Sequence, residues 1–202
     1  MTNPKLKIRN LKSIYSMPNL YVALTHYPVV NKSGDIIASA VTNLDLHDIS
    51  RAAKTYGVKS FYVVTPLKDQ QILAQRIMAH WTDGAGAAYN PARRRALETI
   101  KVVDSVADVV DDIKSIENQD AQMVATSARR YSSSIGCREF RTILKAGQPC
   151  LLVFGTAWGL AEAFILEADY ILEPITGSTD YNHLSVRTAA GIILDRLVGR
   201  EK

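Results

Sequence analysis

Five consecutive apolar residues, at positions 150–154, constrain the fold of this chain more than any other segment. Pro149 and Gly155 bound the run, which has the length of a strand and lacks the polar alternation of a half-buried one. A strand that is apolar on both sides must be covered on both sides, as in a parallel sheet that lies between helices. The run therefore predicts a central parallel strand in an α/β fold.

The remaining chain alternates between strand-like and helix-like segments, as a parallel sheet of the Rossmann-like kind requires. Asn43 or Asp45 is expected to cap the first helix, and Asp104 or Ser105 the third. Apolar runs predict further strands at 20–25, 36–41, 59–65, 100–103, 122–126 and 170–172. Helices are expected to end near 56, 81, 116, 145 and 166, and a long closing helix is expected over 182–197. Loops are expected at 29–35, 82–91 and 127–134.

The length of 202 residues favours a single domain over 1–202, in which residues 1–19 form a polar N-terminal extension. The chain has 24 Lys and Arg against 20 Asp and Glu, and its net charge of +4 is compatible with an anionic partner. Cys137 and Cys150 are too few for a disulfide framework. Because neither an apolar leader nor a run of about 18 apolar residues is present, we expect a cytoplasmic protein without a membrane segment.

Several enzyme classes are disfavoured by the motifs that the sequence lacks. It contains neither a GxxxxGK[ST] loop nor a GxGxxG fingerprint, which argues against nucleotide hydrolysis and dinucleotide binding. The four histidines are scattered and no serine lies in a GxSxG elbow, so we expect neither a metal site nor a hydrolytic triad.

Three polar or glycine-containing loops follow apolar strands, at 126–129, 155–159 and 173–177. Ligands of open α/β sheets bind at the carboxyl ends of the strands, so these loops are the first candidates for a site. Gly155 and Gly159 have two interpretations of equal weight. Either they let the backbone approach a ligand closely, or they only form a tight turn between a strand and a helix.

The segments 152–160, 171–177 and 183–192 together resemble the closing motifs of the SPOUT superfamily, the α/β-knot RNA methyltransferases. Residues 43–45 and 50–58 are similar to the arginine-bearing loop and helix of its ribose-methylating branch. More narrowly, the chain resembles a bacterial branch that also occurs fused to a tRNA guanine-N1 methyltransferase. The resemblance implies a C-terminal trefoil knot, a homodimer whose interface borders the site, and S-adenosylmethionine (SAM) as cofactor.

The resemblance and the chemical needs of methyl transfer together suggest the site residues. Arg51 would hold the acceptor and its phosphate, and Asp45 or Glu173 would accept a proton; the alternative for Arg51 is an ion pair with Asp48. About half of the candidate cofactor residues have an equally simple interpretation as core. The candidate cofactor residues are Thr126, Phe154, Gly155, Thr156, Gly159, Ile171, Leu172, Pro174, Ile175, Gly177, Leu184 and Ser185.

RNA contacts are expected at Arg129, Arg130 and Arg138, and at 93–95, although a solvated surface explains these arginines equally well. The sequence departs from the ribose-methylating branch at Ser185, where relatives often have Asn, and at Arg187, where they have Ser. The predicted function is SAM-dependent methylation of RNA, either tRNA or rRNA, on a ribose oxygen or a base nitrogen. One alternative is a catalytically silent RNA-binding or dimerising module, and another is an unrelated enzyme that acts on a phosphorylated small molecule.

Overall fold

The computed structural model describes residues 18–200, so the predicted extension at 1–19 lies almost wholly outside the described residues. This part of the chain forms nine strands and eight helices. The strands are β1 (Leu20–Thr25), β2 (Val29–Val30), β3 (Ile36–Ile37), β4 (Phe61–Val64), β5 (Ile100–Val103), β6 (Gln122–Ala125), β7 (Ser134–Ile135), β8 (Cys150–Gly155) and β9 (Tyr170–Leu172). The helices are α1 (Asn43–Thr55), α2 (Lys68–Thr82), α3 (Ala85–Tyr89), α4 (Pro91–Leu97), α5 (Val106–Glu117), α6 (Cys137–Lys145), α7 (Glu162–Leu166) and α8 (Val186–Val198).

Seven strands form one sheet in the order β5-β4-β1-β8-β6-β9-β7, and every pairing within it is parallel. The apolar run of β8 lies in the middle of the order, which confirms the central parallel strand and the α/β fold. The trefoil knot stays a prediction of the resemblance.

Both faces of the sheet carry a hydrophobic core, which explains why β1 is buried along its whole length. Leu20, Val22 and Leu24 point to one face, where α1, α2, α4, α6 and α8 pack. Tyr21 and Ala23 point to the other face, which α5 and α7 cover. Removing this apolar area from water, at about 25 cal/mol per Å², is the main favourable contribution to folding.

The helix starts agree with the predictions only in part. Ser105 caps α5 in a capping box with Asp108, as one of the two predicted alternatives. The cap of α1 is Thr42 and not Asn43 or Asp45, because the Thr42 hydroxyl accepts from the Asp45 amide and donates to its carboxylate, at 3.3 and 2.6 Å. The last helix begins at Val186, after Ser185 as its cap, several residues later than predicted.

Three predicted loops contain regular structure. Residues 82–91 include α3, which is placed by tertiary packing: a Cβ on the buried Gly86 would lie 2.7 Å from the Trp81 ring, so only glycine lets α3 approach α2 this closely. The connection at 29–35 begins with β2, which pairs with β3 in an antiparallel hairpin. Ser134, at the end of the polar segment 127–134, begins the short edge strand β7.

Candidate functional site

A cleft opens at the carboxyl ends of the central strands. Its volume of about 600 Å³ lies within the usual size range of small-molecule sites. It is built from the loops after β6, β8 and β9 and from the start of α1 and α8, all of which a parallel sheet brings to one edge. Its lining residues lie within the segments 39–45, 126–129, 154–160, 173–175 and 182–193.

The turn after β8 is tightly folded, and it forms one wall of the cleft. A Cβ on Gly155 would lie 2.5 Å from the Leu160 amide nitrogen, so a side chain there would collide with the protein's own backbone. Ala157 and Gly159 have φ angles of 51° and 108°, in the left-handed region that favours glycine. The two interpretations of Gly155 are thus compatible, because the glycine closes a turn whose outer side lines the cleft.

The β2–β3 hairpin fixes this turn from outside the sheet. The amide of Val30 donates to the carbonyl of Gly159, and the amide of Trp158 donates to the carbonyl of Val30, each at 3.0 Å. Val29 pairs with Leu160 in an isolated bridge. The hairpin, which the sequence did not predict, is therefore what holds the 155–160 turn against the cleft.

A chain of hydrogen bonds runs below the cleft from a buried histidine. His26 Nδ1 lies 3.1 Å from Ser39 Oγ, which bonds to Thr156 Oγ1, and that hydroxyl donates to the Thr25 carbonyl at 3.1 Å. Because Thr156 uses its proton on a carbonyl, its hydroxyl oxygen accepts the hydrogen bond from Ser39. Ser39 has then used its own proton, so it accepts a hydrogen bond from His26, and the His26 proton is assigned to Nδ1. His26 Nε2 is buried without a hydrogen-bond partner among the described residues. Burial lowers the pKa of His26 to about 4, and Asp45 opposes the shift.

The charged groups of the cleft are largely neutralised in pairs. Arg187 contacts Asp45 at 3.3 Å through Nη1 and Asp48 at 3.5 Å through Nε, which links α8 to α1. Arg130 donates to Glu173 at 2.6 Å across the loops that follow β6 and β9. Asp45 is nearly buried, so its carboxylate is less screened by water than the surface pairs are.

Exposed aromatic side chains form the rim. Trp158 is 61% exposed and its ring lies 6.5 Å from that of His183, which in turn lies 6.5 Å from the ring of Tyr181. Neither Trp158 nor Arg187 was a predicted site residue. The position of Trp158 between two loop glycines was the available signal, and Arg187 was visible only as a departure from relatives.

Most of the predicted site residues are brought together in the walls of this cleft. They include two of the three catalytic candidates, one predicted RNA contact and two-thirds of the candidate cofactor residues. Those in the walls are Asp45, Arg129, Thr126, Phe154, Gly155, Thr156, Gly159, Ile175, Leu184 and Ser185, together with Glu173.

The remaining predicted residues lie outside the walls. Ile171 and Leu172 are buried in the two cores, since successive residues of β9 point to opposite faces of the sheet, and this matches their alternative interpretation as core. Pro174 and Gly177 flank the wall without lining it. Arg130 is exposed and paired with Glu173, and the exposed Arg138 lies on α6.

Arg51 also lies outside the first cleft. It lines a second cleft, on the later half of α1, and its guanidinium lies 3.7 Å from the Asp48 carboxylate. The alternative interpretation of Arg51, an i,i+3 ion pair, is therefore present in the structure. Because both side chains are about half exposed, the pair contributes little to stability.

Metal clusters and membrane-spanning helices are both absent from the part of the chain that the structure describes. In the part of the chain from 18 to 200, no three His, Cys, Asp or Glu side chains lie together in a group that could hold a metal ion. None of the helices described over the same range has both the length and the apolar character needed to cross a membrane.

Comparison with known proteins connects this geometry to a family. A family model described as SAM-dependent RNA methyltransferase matches residues 19–199. A tRNA (guanine-N(1)-)-methyltransferase of Oleidesulfovibrio alaskensis is 46% identical over 181 residues, which are 90% of this chain and 42% of that protein. An uncharacterized protein of Aquifex aeolicus is 38% identical over 185 residues, covering 91% of this chain and 90% of that one. The chain thus spans less than half the length of the Oleidesulfovibrio relative and nearly all of the Aquifex one.

Among solved structures, the A. aeolicus TrmH/SpoU tRNA modifying enzyme superposes with a TM-score of 0.52. The match covers 89% of this chain and 74% of the other at 18% sequence identity. At this identity the likeness establishes a shared fold alone. In this chain, the first cleft lies at the carboxyl edge of the sheet of that fold.

Proposed function

Since this chain belongs to the family of SAM-dependent RNA methyltransferases, we propose that the first cleft holds the cofactor and that the acceptor is a nucleotide of tRNA. The observation that carries the proposal is the convergence of three loops and two helix starts on one cleft of about 600 Å³. The choice of tRNA over rRNA is supported by the name of the Oleidesulfovibrio relative, of which this chain spans 42%.

The chemistry of the cleft fits the cofactor. SAM needs apolar walls for adenine, polar groups for its ribose and amino-acid ends, and few unpaired cations near its sulfonium. Phe154, Ile175 and Leu184 supply apolar surface, and Thr126 and Thr156 supply hydroxyl groups.

The charge balance of the cleft also suits a cationic cofactor. Arg187 is neutralised by two carboxylates, and Arg129 lies 3.5 Å from Glu162. The carboxylates of Asp45 and Glu173 line the same space, where they lower the cost of holding a positive charge.

Bound SAM supplies an electrophilic methyl group, and the protein must align the acceptor and remove its proton. We propose that Asp45 accepts this proton, with Thr42 and Arg187 fixing the orientation of its carboxylate. Glu173 is the second candidate, because it lies in the same cleft.

Arg51 enters this proposal through a second copy of the chain. Within one protomer it lies outside the first cleft, so a role at the acceptor requires a homodimer whose interface borders the site. The dimer also stays a proposal, and sedimentation equilibrium of the purified protein tests it. A monomer at the concentrations of the activity assay would remove Arg51 from the reaction.

Calorimetric titration with SAM, and with its demethylated product, tests the cofactor site. Leu184→Asp puts a carboxylate into the apolar wall and is expected to weaken SAM binding at least tenfold. Leu166→Asp is the matched control, because Leu166 is 64% exposed on α7 and does not line the cleft. Equal affinities for the two variants would contradict the assignment.

Transfer of labelled methyl groups to separated tRNA and rRNA fractions tests the activity and the substrate class. Incorporation into tRNA supports the proposal, and incorporation only into rRNA would refute the choice of tRNA. Nucleoside analysis of the labelled RNA then identifies the ribose or base acceptor.

A catalytically silent RNA-binding or dimerising module is the second candidate. Two observations favour it: Arg51 is paired with Asp48 outside the first cleft, and Asp45 is already engaged by Arg187. SAM binding by a folded protein without transfer to any RNA fraction would support this module.

We also propose a cytoplasmic location. Burial raises the pKa of the Cys137 and Cys150 thiols, that of Cys150 to about 11, which suits cysteines that stay reduced. Cell fractionation with an antibody to the protein tests the location, and recovery in a membrane or secreted fraction would contradict it.

A further inference from the structure

A second cleft, of about 480 Å³, lies between the later half of α1 and α4. Arg51 and Lys54 border it from α1, and Arg93 and Arg95 border it from α4. The other described residues that line it are Thr55, Asn90, Ala92 and Ala96, so no acidic side chain is among them. Four cations around one concavity produce a local positive potential that the net charge of +4 does not reveal.

Little carboxylate charge offsets these cations. Arg94, between the two α4 arginines, is paired with Glu98 at 2.8 Å and does not line the cleft. No carboxylate in the part of the chain that the structure describes lies within 4.0 Å of Lys54 or Arg95. Asp48 contacts Arg51, but it also contacts Arg187, so one negative charge is shared between two guanidinium groups.

Arg93 is held in place by an aromatic ring. Its guanidinium carbon lies 4.5 Å from the centroid of the Trp81 ring, which is a cation–π contact. Its Nε is buried without a hydrogen-bond partner among the described residues. The pKa of the neighbouring His47 is lowered mainly by burial and further by Arg93 and Arg51, while Asp48 opposes the shift.

From these contacts we propose that the second cleft binds a phosphodiester group of the RNA strand, with Lys54, Arg93 and Arg95 as the donors. Guanidinium and ammonium groups are the donors that bind phosphate oxygens best, and three of them converge here from two helices. The lining contains alanine and threonine but no aromatic platform on which a base could stack. The cleft therefore recognises the backbone of the strand and not its sequence.

The position of the cleft suits a strand that also reaches the first cleft. Helix α1 lines both clefts, with Asp45 at the first and Lys54 at the second. Nine residues of α-helix separate these positions by about 13 Å, which is within the reach of a few nucleotides. Between the two clefts, the Asp48 carboxylate contacts the guanidinium groups of both Arg187 and Arg51, so positive and negative charges alternate. The inference rests on the RNA substrate of the proposed function and adds where its phosphates bind.

Fluorescence anisotropy with a labelled single-stranded oligoribonucleotide tests the inference across a range of salt concentrations. The test variant carries Lys54→Gln and Arg95→Gln, and it leaves Arg93 on Trp81. The control carries Arg76→Gln and Lys145→Gln, which removes the same charge from exposed positions on α2 and α6 outside both clefts.

Each lost phosphate contact lowers the slope of log affinity against log salt by about 0.7 for a single strand. Two lost contacts lower it by about 1.4, which corresponds to roughly 25-fold weaker binding at 0.1 M salt. The control is expected to retain the slope of the unmodified chain. Equal slopes and affinities for the test and control variants would overturn the phosphodiester site.

SAM titration of the same proteins keeps this result separate from the proposed function. If the unmodified chain binds SAM and RNA while both variants bind RNA alike, only the second cleft is refuted. If the unmodified chain binds SAM but no RNA at any salt concentration, the proposed RNA substrate fails, and the phosphodiester site fails with it.

Discussion

His26 makes the stability of this protein depend on pH in a way that can be worked out from its surroundings. The side chain is 0% exposed at the carboxyl end of β1, and it gives its Nδ1 proton to Ser39. A second proton would have to enter at Nε2, which is buried away from water. Burial lowers the pKa of His26 from 6.5 to about 4, although Asp45 and a backbone hydrogen bond to Ala40 oppose the shift.

The direction in which stability changes with pH depends on whether the folded or the unfolded chain binds the proton more readily. Above pH 6.5 His26 is neutral in both the folded and the unfolded chain, so its contribution does not change with pH. Between pH 6.5 and about 4 the unfolded chain takes up a proton that the folded chain excludes, and the free energy of unfolding falls. A difference of 2.5 pKa units corresponds to about 3 kcal/mol in total, of which about 2 kcal/mol is lost by pH 5.

Urea unfolding at pH 8 and pH 5 measures this loss, with His26→Asn as the perturbation. Asparagine keeps a hydrogen-bonding group near Ser39 and does not titrate, so the variant is expected to lose about 2 kcal/mol less stability between the two pH values. His80→Gln, at an exposed position on α2, is the control and is expected to behave as the unmodified chain does. His47, whose pKa burial also lowers, contributes alike to all three proteins.

The test compares how much free energy of unfolding each protein loses between pH 8 and pH 5. Absolute stabilities are not compared, because removing His26 also changes packing at pH 8. If the unmodified chain and the His26→Asn variant lost the same free energy of unfolding between pH 8 and pH 5, a buried neutral His26 would be refuted.

Two further predictions concern the turn after β8. Gly155→Ala should lower the free energy of unfolding by several kcal/mol, because its Cβ would lie 2.5 Å from the Leu160 amide nitrogen. Gly191→Ala is the control on α8, because no atom of the described residues lies within 4 Å of the added Cβ, and it should raise the free energy of unfolding by up to about 1 kcal/mol. If thermal unfolding showed Gly155→Ala to be the more stable of the two variants, the geometry of the turn would be contradicted. Trp158 lines the first cleft, so its fluorescence should change on SAM binding; the signal should survive Trp81→Phe and disappear in Trp158→Phe.

The sequence by itself determined the layered architecture. The apolar run at 150–154 needs cover on both faces whatever its neighbours are, and it forms the central strand β8. The loops after β6, β8 and β9 could be assigned to one edge without coordinates, because parallel strands end on the same side of a sheet. Burial and strand direction follow from local residue patterns, so these features were predictable from the residues alone.

Only the tertiary structure decided which side chains line the two clefts. Ile171 and Leu172 are adjacent to a cleft loop in sequence, but the alternation of β9 turns both into the cores. Arg51 follows Asp45 on α1 by six residues, and the helix carries it into the second cleft beside Arg93 of α4. Contacts between residues that are far apart in the chain depend on how helices pack on a finished sheet, and no local pattern of residues encodes that packing.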